Sequence, residues 1–312
     1  MDRCDFLPVS AEEMHERGWW WYDALVVGGD AYVDHPSFGT AVISRVLEAE
    51  GLRVAVLAQP DWHDAEAFRA MGRPRLGVFI GAGNLDSMVA HYTAAKRRRS
   101  EDFYSPGKRT GCRPDRAAIV YCNRAREAFG PDVPIILGSL EASLRRFAHY
   151  DYWDDAVRRA ILFDAPADLL VYGMGEAATI EIAHRLKKKQ SVHTMTDIPG
   201  TGYITRDPSV CKFDHITLPS FEDVRDDKRL YAEATRTEYA EHDPVRGRAM
   251  IQPCEGRYLV INPPAMPLDT KELDRVADLP YTREWHPMYE PLGGVPAIEE
   301  VRFSVIHNLS LI

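Results

Sequence analysis

Between residues 23 and about 190 the chain repeatedly exchanges a short apolar run, rich in β-branched residues and often closed by glycine, for a longer stretch of helical period. That alternation restricts the fold more than any other feature. Continuous apolar runs suit strands buried on both faces, and parallel strands need a crossover helix between them. The runs are Ala24 to Val27 before Gly28-Gly29, Arg53 to Ala58, Leu76 to Ile80 before Gly81, Pro134 to Leu137 before Gly138, and Asp168 to Tyr172 before Gly173. Between them, Gly39 to Ala49 sets Ala41, Val42, Val46 and Leu47 on one helical face, and Arg116 to Phe129 does the same with Ile119, Val120 and Ala128. The expected fold is α/β, a flavodoxin-like doubly wound parallel sheet of about five strands in the order 2-1-3-4-5.

After about Lys189 the alternation stops, and prolines and aromatics arrive in clusters: LPSFEDV, INPPAMPLDT and LPYTREWHPMYEPLGGVP. This reads as an extended arm carrying a short helix within Ser220 to Glu241, capped by Ser220, and a hairpin in which Arg257 to Ile261 faces Met250 to Gln252. Val301 to Ile312 alternates as a strand and then ends, so it is expected to be the truncated first strand of something larger. The organisation expected is an α/β domain over 1–195, the arm over 196–300 and the truncated strand over 301–312.

Charge and cysteines narrow the function. With 38 basic against 47 acidic residues the formal charge is −9, which argues against a general nucleic-acid coat but leaves room for a local patch. The five cysteines, at 4, 112, 122, 211 and 254, are widely spaced with no CxxC, so they read as reduced thiols and offer no local metal or cluster motif. No apolar run approaches the ~20 residues of a membrane span, and the acidic, proline-bearing start is unlike a secretory signal. A cytoplasmic location is expected.

Open parallel sheets bind ligands beyond the carboxyl ends of their strands, where strand order reverses. Here that place is flanked by the loop Gly28 to Gly39, with Asp30, Asp34, His35 and Ser37, and by the loop Gly81 to Ser87, with Asn84 and Asp86. Glu141, Arg145 and Glu176 follow the fourth and fifth runs and complete the candidate rim. One reading is an anion or nucleotide-like ligand on the amides of Ser37 to Gly39, with Asp30, Asp34 or His35 on its polar edge. The other is that Ser37 caps the helix and the acids hold the loop. Gly81-Ala82-Gly83 and Gly173-Met174-Gly175 are not GxGxxG, which argues against a dinucleotide site. Asp34, His35, Asp61 and His63 crowd two loops without a metal-binding spacing, so no metal site is assigned.

From His91 to Arg116 there are eight basic residues and three acidic ones, a local +5. Lys96, Arg97, Arg98, Arg99, Lys108 and Arg109, interleaved with aromatics, form a basic patch. It suits RNA, another anionic substrate or an acidic partner surface, or it is a solvated loop. A second cluster, Leu144 to Trp153, sets Arg145 and Arg146 among aromatic rings and reads as a substrate wall, a domain interface or rim packing.

The segments GDAYVDHPSFG, LAQPDW, AGNLDSMVAHYTAAKRRRSEDFYSPG, RPDRAAIVYCN, EASLRRFAHYDYWDDAVRRAIL, DLLVYGMGE, NPPAMPL, LPYTREWHP and GGVPAIEEVRFSV closely resemble the N-terminal half of YgiQ-type radical SAM proteins, over Phe6 to Val305. The resemblance implies a domain similar to cobalamin-binding domains. It further implies a radical SAM barrel whose CxxxCxxC loop binds a [4Fe-4S] cluster alongside SAM. Here the strand ending Ser304-Val305-Ile306-His307-Asn308 leads to Leu309-Ser310-Leu311-Ile312, so no cluster ligand carries over, no catalytic residue is assigned, and the chain alone is expected to hold no cofactor and to be inactive. Cobalamin is doubtful because DxHxxG is absent, Asp34 and His35 being adjacent. The function expected is an accessory or substrate-recognition domain, with the radical SAM barrel as its partner. The alternatives are an independent ligand-binding module or small hydrolase using the rim acids and His35, and an RNA- or partner-binding protein acting through the loop 96–116.

Overall fold

The computed structural model describes residues 5–303. Its main sheet has nine strands in the spatial order β2-β1-β3-β4-β7-β8-β11-β10-β9. These are β1 (Ala24–Gly28), β2 (Val54–Ala58), β3 (Gly77–Gly81), β4 (Ile135–Leu137), β7 (Leu169–Val171), β8 (Thr201–Thr205), β9 (His215–Thr217), β10 (Ala249–Cys254) and β11 (Arg257–Ile261). A separate hairpin joins β5 (His149–Asp151) to β6 (Ala156–Arg158).

The first five strands along the sheet, β2-β1-β3-β4-β7, are all parallel and have the predicted order. The strand count is corrected from about five to nine. Residues read as an extended arm supply β8, antiparallel to both β7 and β11, then the β10–β11 hairpin and β9, parallel to β10. Pro253 is tolerated in β10 because β9 pairs only with Ala249, Met250 and Ile251, so the missing N–H lies beyond that partner. The helix expected over 220–241 is two, Phe221–Asp226 and Lys228–Ala240. Ser220 and Asp223 form a reciprocal capping box on the first, and Asp227, in an extended conformation, caps the second. Val301 closes a short helix, Ile298–Val301, and does not open a strand. The remainder of the strand expected to Ile312 lies outside the described residues.

Side-chain alternation splits the core into two layers. Ala24 and Val26 of β1 join Val54, Val56, Phe79, Leu169 and Val171 on one face, against the helices Gly39–Ala49 and Glu176–Lys187. Leu25 and Val27 join Ala55, Val78, Ile80, Leu137 and Leu170 on the other, against Ala117–Phe129. Each fully buried aliphatic side chain contributes about 1.5–3 kcal/mol, which is what commits these runs to the sheet centre. No helix among the described residues is long and apolar enough to cross a membrane.

The end of the described chain returns to the carboxyl edge of β1. Val33 bridges Trp285, the His286 N–H donates to the Tyr32 carbonyl (3.0 Å), and the Ala297 N–H donates to the Phe103 carbonyl (3.0 Å). Residues 281–297 thus form a strap over the loop that follows β1.

Candidate functional site

At the reversal of strand order the loops after β1 and β3 touch backbone to backbone. A Cβ on Gly29 would stand 1.9 Å from the Ala82 carbonyl oxygen, so only glycine fits there. This contact brings Asp30 beneath the second loop, where its carboxylate accepts the Asn84 main-chain N–H (2.6 Å) and Arg113 Nη1 (2.6 Å). Arg113, 1% exposed, also donates to both oxygens of Asp102 (3.0 and 2.8 Å), whose second oxygen accepts the Ser105 hydroxyl (2.8 Å). Burial pushes the Asp30 carboxyl above its ordinary range, opposed chiefly by the Arg113 charge.

Asp34 is equally committed. Its carboxylate accepts Arg45 Nε (3.1 Å) and Nη2, and the main-chain N–H of Thr282 in the strap (3.0 Å). His35 is 0% exposed; its Nδ1 accepts the Ser37 N–H (3.1 Å), its Nε2 has no hydrogen-bond partner among the described residues, and burial followed by the Arg283 charge holds its pKa below the usual imidazole value. Ser37 does not cap the following helix, which corrects that expectation. Phe38 occupies the cap position, and the Asn84 side chain serves instead, its oxygen accepting the Gly39 N–H (3.2 Å) and its nitrogen donating to the Ser37 carbonyl (2.8 Å).

Beyond β3 and β4 the remaining candidates also hold one another. Asp86 caps the helix Ser87–His91 and pairs with Arg145. Glu141 accepts the Ser87 N–H (3.0 Å) and hydroxyl (2.6 Å) and, at the start of the helix Ala117–Phe129, the Ala118 N–H (3.1 Å). Burial first, then the neighbouring Asp86 charge, raises the Glu141 pKa. Glu141→Ala would strand two buried main-chain donors and is expected to lose about 2–3 kcal/mol in urea unfolding at neutral pH; a loss below ~0.5 kcal/mol would show that water replaces the carboxylate. Glu176 stands apart, with one carboxylate oxygen unpartnered among the described residues and its pKa raised by burial.

The structure therefore joins Asp30 to Asn84, Asp86 to Arg145 and Glu141 to Ser87 as polar clamps between loops. A group that must ligate a corrin cobalt through His35 does not fit, because that imidazole is fully enclosed beneath the strap. An iron–sulfur cluster does not fit either: the described cysteines are scattered between half-buried and buried positions, and no group of three or more His, Cys, Asp or Glu side chains among the described residues could hold a metal ion. Asp61 and His63 pair with each other at the surface (2.6 Å).

The basic loop is less basic than its composition. Arg113 is consumed by Asp30 and Asp102, and Arg116 by Asp151 and Asp154. Lys96, Arg97, Arg98, Arg99 and Arg109 stay exposed, with Lys96 4.8 Å from the Tyr152 ring and Arg98 5.4 Å from that of Tyr92. Lys108 lies elsewhere, 4.7 Å over Phe103 and 3.5 Å from Glu101. The sequence pattern did not single out Arg45, Asp102 or Thr282 as rim partners; Arg45 and Asp102 each bond a residue 11 positions away, outside any helical or turn spacing, and Thr282 bonds one 248 positions away.

A cavity of about 510 Å³ opens at the opposite edge, lined by Asp168, His193, Arg206 and Arg257 among others.

Comparison with known proteins follows the same lines. The model of the Radical SAM N-terminal family matches residues 6–304. A UPF0313 protein of Clostridium botulinum is 53% identical over 305 residues, covering 98% of this chain and 47% of the relative. One of Clostridium perfringens is 53% identical over 308 residues, covering 99% and 46%. The chain thus spans about half the length of the curated relatives it matches. Among solved structures, the radical S-adenosylmethionine methyltransferase TsrM of Kitasatospora setae, with tryptophan substrate and a SAM analog bound, aligns at a TM-score of 0.36 and 20% identity, over 58% of this chain and 28% of that one. By its family match and its UPF0313 relatives, the chain belongs to the Radical SAM N-terminal family of YgiQ-type proteins.

Proposed function

We propose that this chain is an accessory, substrate-recognition part of a radical SAM iron–sulfur enzyme, in which the cluster and SAM are held by the portion of the longer relatives that it does not match. The observation that carries this reading is the family match over residues 6–304 in a chain equal to about half of each relative. Two features of the molecule support it. The described cysteines are scattered and form no cluster site among the described residues, which fits a cluster held by another part of the enzyme. The carboxyl edge of the parallel strands also exposes Val89, Leu140 and Leu144, the last 59% exposed, on the helices that follow β3 and β4, apolar surface of the kind that contacts a partner domain.

The test is a chimera in which this chain replaces the matched half of the Clostridium botulinum relative, reconstituted anaerobically with iron and sulfide. The chimera is expected to show cluster absorbance and, with dithionite as the electron donor, to cleave SAM reductively to methionine and 5′-deoxyadenosine, and the chain alone to do neither. A stoichiometric cluster on the chain alone, or a folded chimera that holds its cluster but leaves SAM intact, would contradict the proposal.

A further inference from the structure

Past the carboxyl ends of β4 and β7 lies an arginine unlike the other enclosed ones. Arg45, Arg113, Arg116 and Arg145 each meet a carboxylate. Arg146 instead donates to the Ser143 carbonyl (2.6 Å) and to His242 Nδ1 (3.0 Å), and its Nε is buried with no hydrogen-bond partner among the described residues. Its guanidinium lies 5.0 Å from the ring centre of Tyr172 and 5.3 Å from that of Phe147. The Tyr172 ring in turn stands edge-on to His242.

We propose that Arg146, stacked beside Tyr172 and Phe147 and abutting His242, anchors a binding site for an oxyanion, the phosphate or carboxylate group of a small molecule. A guanidinium withdrawn from water without a counter-ion is costly, and ring faces offset only part of that cost. Two of its five N–H donors are engaged, and the buried Nε edge has no partner among the described residues, so its capacity for the paired bonds that carboxylate and phosphate accept is unused. Arg146, Glu238 and His242 are each half-buried, so the cluster reaches the surface on the edge where open α/β sheets receive ligands. The acid that influences Arg146 electrostatically is Glu238, on the helix Lys228–Ala240. Burial pushes its pKa up to about 7, so it is a weak counter-charge at neutral pH. His242, accepting from Arg146 and held below the ordinary imidazole value by burial and then by the arginine charge, stays neutral and does not repel the cation. The inference does not rest on the accessory-domain reading, because it concerns binding to this chain alone.

Isothermal titration of inorganic phosphate, and separately of succinate, into the 312-residue chain at neutral pH and low salt tests it. Saturable binding of at least one is expected, and which of the two binds distinguishes a phosphoryl from a carboxylate ligand. Arg146→Ala should weaken it about 10- to 100-fold, the loss of charge-assisted bonds. Glu238→Gln should strengthen it, and the triple change of Arg97, Arg98 and Arg99 to alanine should leave it unchanged. If Arg146→Ala fails to fold, Arg146→Lys decides, since it keeps the charge but not the paired donors and should still weaken binding several-fold. Absence of saturable binding of both anions to the unaltered chain, or affinity unchanged by replacing Arg146, would overturn the proposal.

Discussion

Arg113→Ala is expected to destabilise the chain by about 3–5 kcal/mol, since removing one partner of a buried ionic cluster leaves its counter-charges uncompensated. Asp30 and Asp102 flank that guanidinium, with side chains 4% and 2% exposed. The deficit should depend on pH with a definite sign. Burial already raises the Asp30 carboxyl above its unfolded value despite Arg113, and without the arginine it must rise further. A carboxyl whose folded pKa is raised binds its proton more tightly in the native state. Its contribution to stability therefore falls as pH climbs above the ordinary carboxylate range. Urea unfolding should accordingly show a larger deficit for Arg113→Ala at pH ~8 than at pH ~5, and Asp30→Asn in the same chain should recover part of it. A deficit below ~1 kcal/mol, or one equal at both pH values, would mean that water reaches the two carboxylates.

This cluster shows where sequence reading succeeds and where it stops. The parallel strands announce themselves because each is buried on both faces: Leu25, Val26 and Val27 are all apolar since helices cover the sheet above and below. Thr201–Thr205 and His215–Thr217 carry no such signature. The first is antiparallel to both its neighbours and the second is itself the edge strand, so polar side chains are tolerated, and pairing is set by partners far away in sequence. The hairpin of β10 and β11 was legible because its pairing is local. At the rim, the polar loops were legible as a place but not as an arrangement. Counting charge entered Arg113 and Arg116 in the local +5, whereas the fold turns both toward acids. The composition of a loop does not say which of its charges face inward. Arg146 was visible among aromatics, but His242 and Glu238, which define its surroundings, come from a helix and turn more than 90 residues later.

Asp34→Ala should release the strap over the first loop. Its carboxylate joins Arg45, buried within the helix Gly39–Ala49, to the Thr282 N–H, while its main-chain groups exchange hydrogen bonds with Arg283 (2.8 Å) and Glu284 (2.9 Å). The alanine variant keeps the main-chain bonds but leaves Arg45 with Glu48 and the Asp5 carbonyl alone, and a global cost of about 3 kcal/mol is expected. The local effect discriminates more sharply. Amides of 282–297 should exchange much faster than in the unaltered chain, while those of β1, β3 and β4, held by parallel pairing and both core layers, should keep most of their protection relative to the new global limit. Asp34→Asn retains an acceptor for Thr282 and should give an intermediate result. Loss of the strap would also uncover His35 and relieve the lowering imposed by burial and Arg283, so its imidazole should titrate closer to the ordinary value, the lost Asp34 charge being the smaller, opposing contribution. If strap and strands lose protection together, the 281–297 segment is one cooperative unit with the sheet, and the switch point is sealed by the whole fold, leaving the edge beyond β4 and β7 as the accessible face.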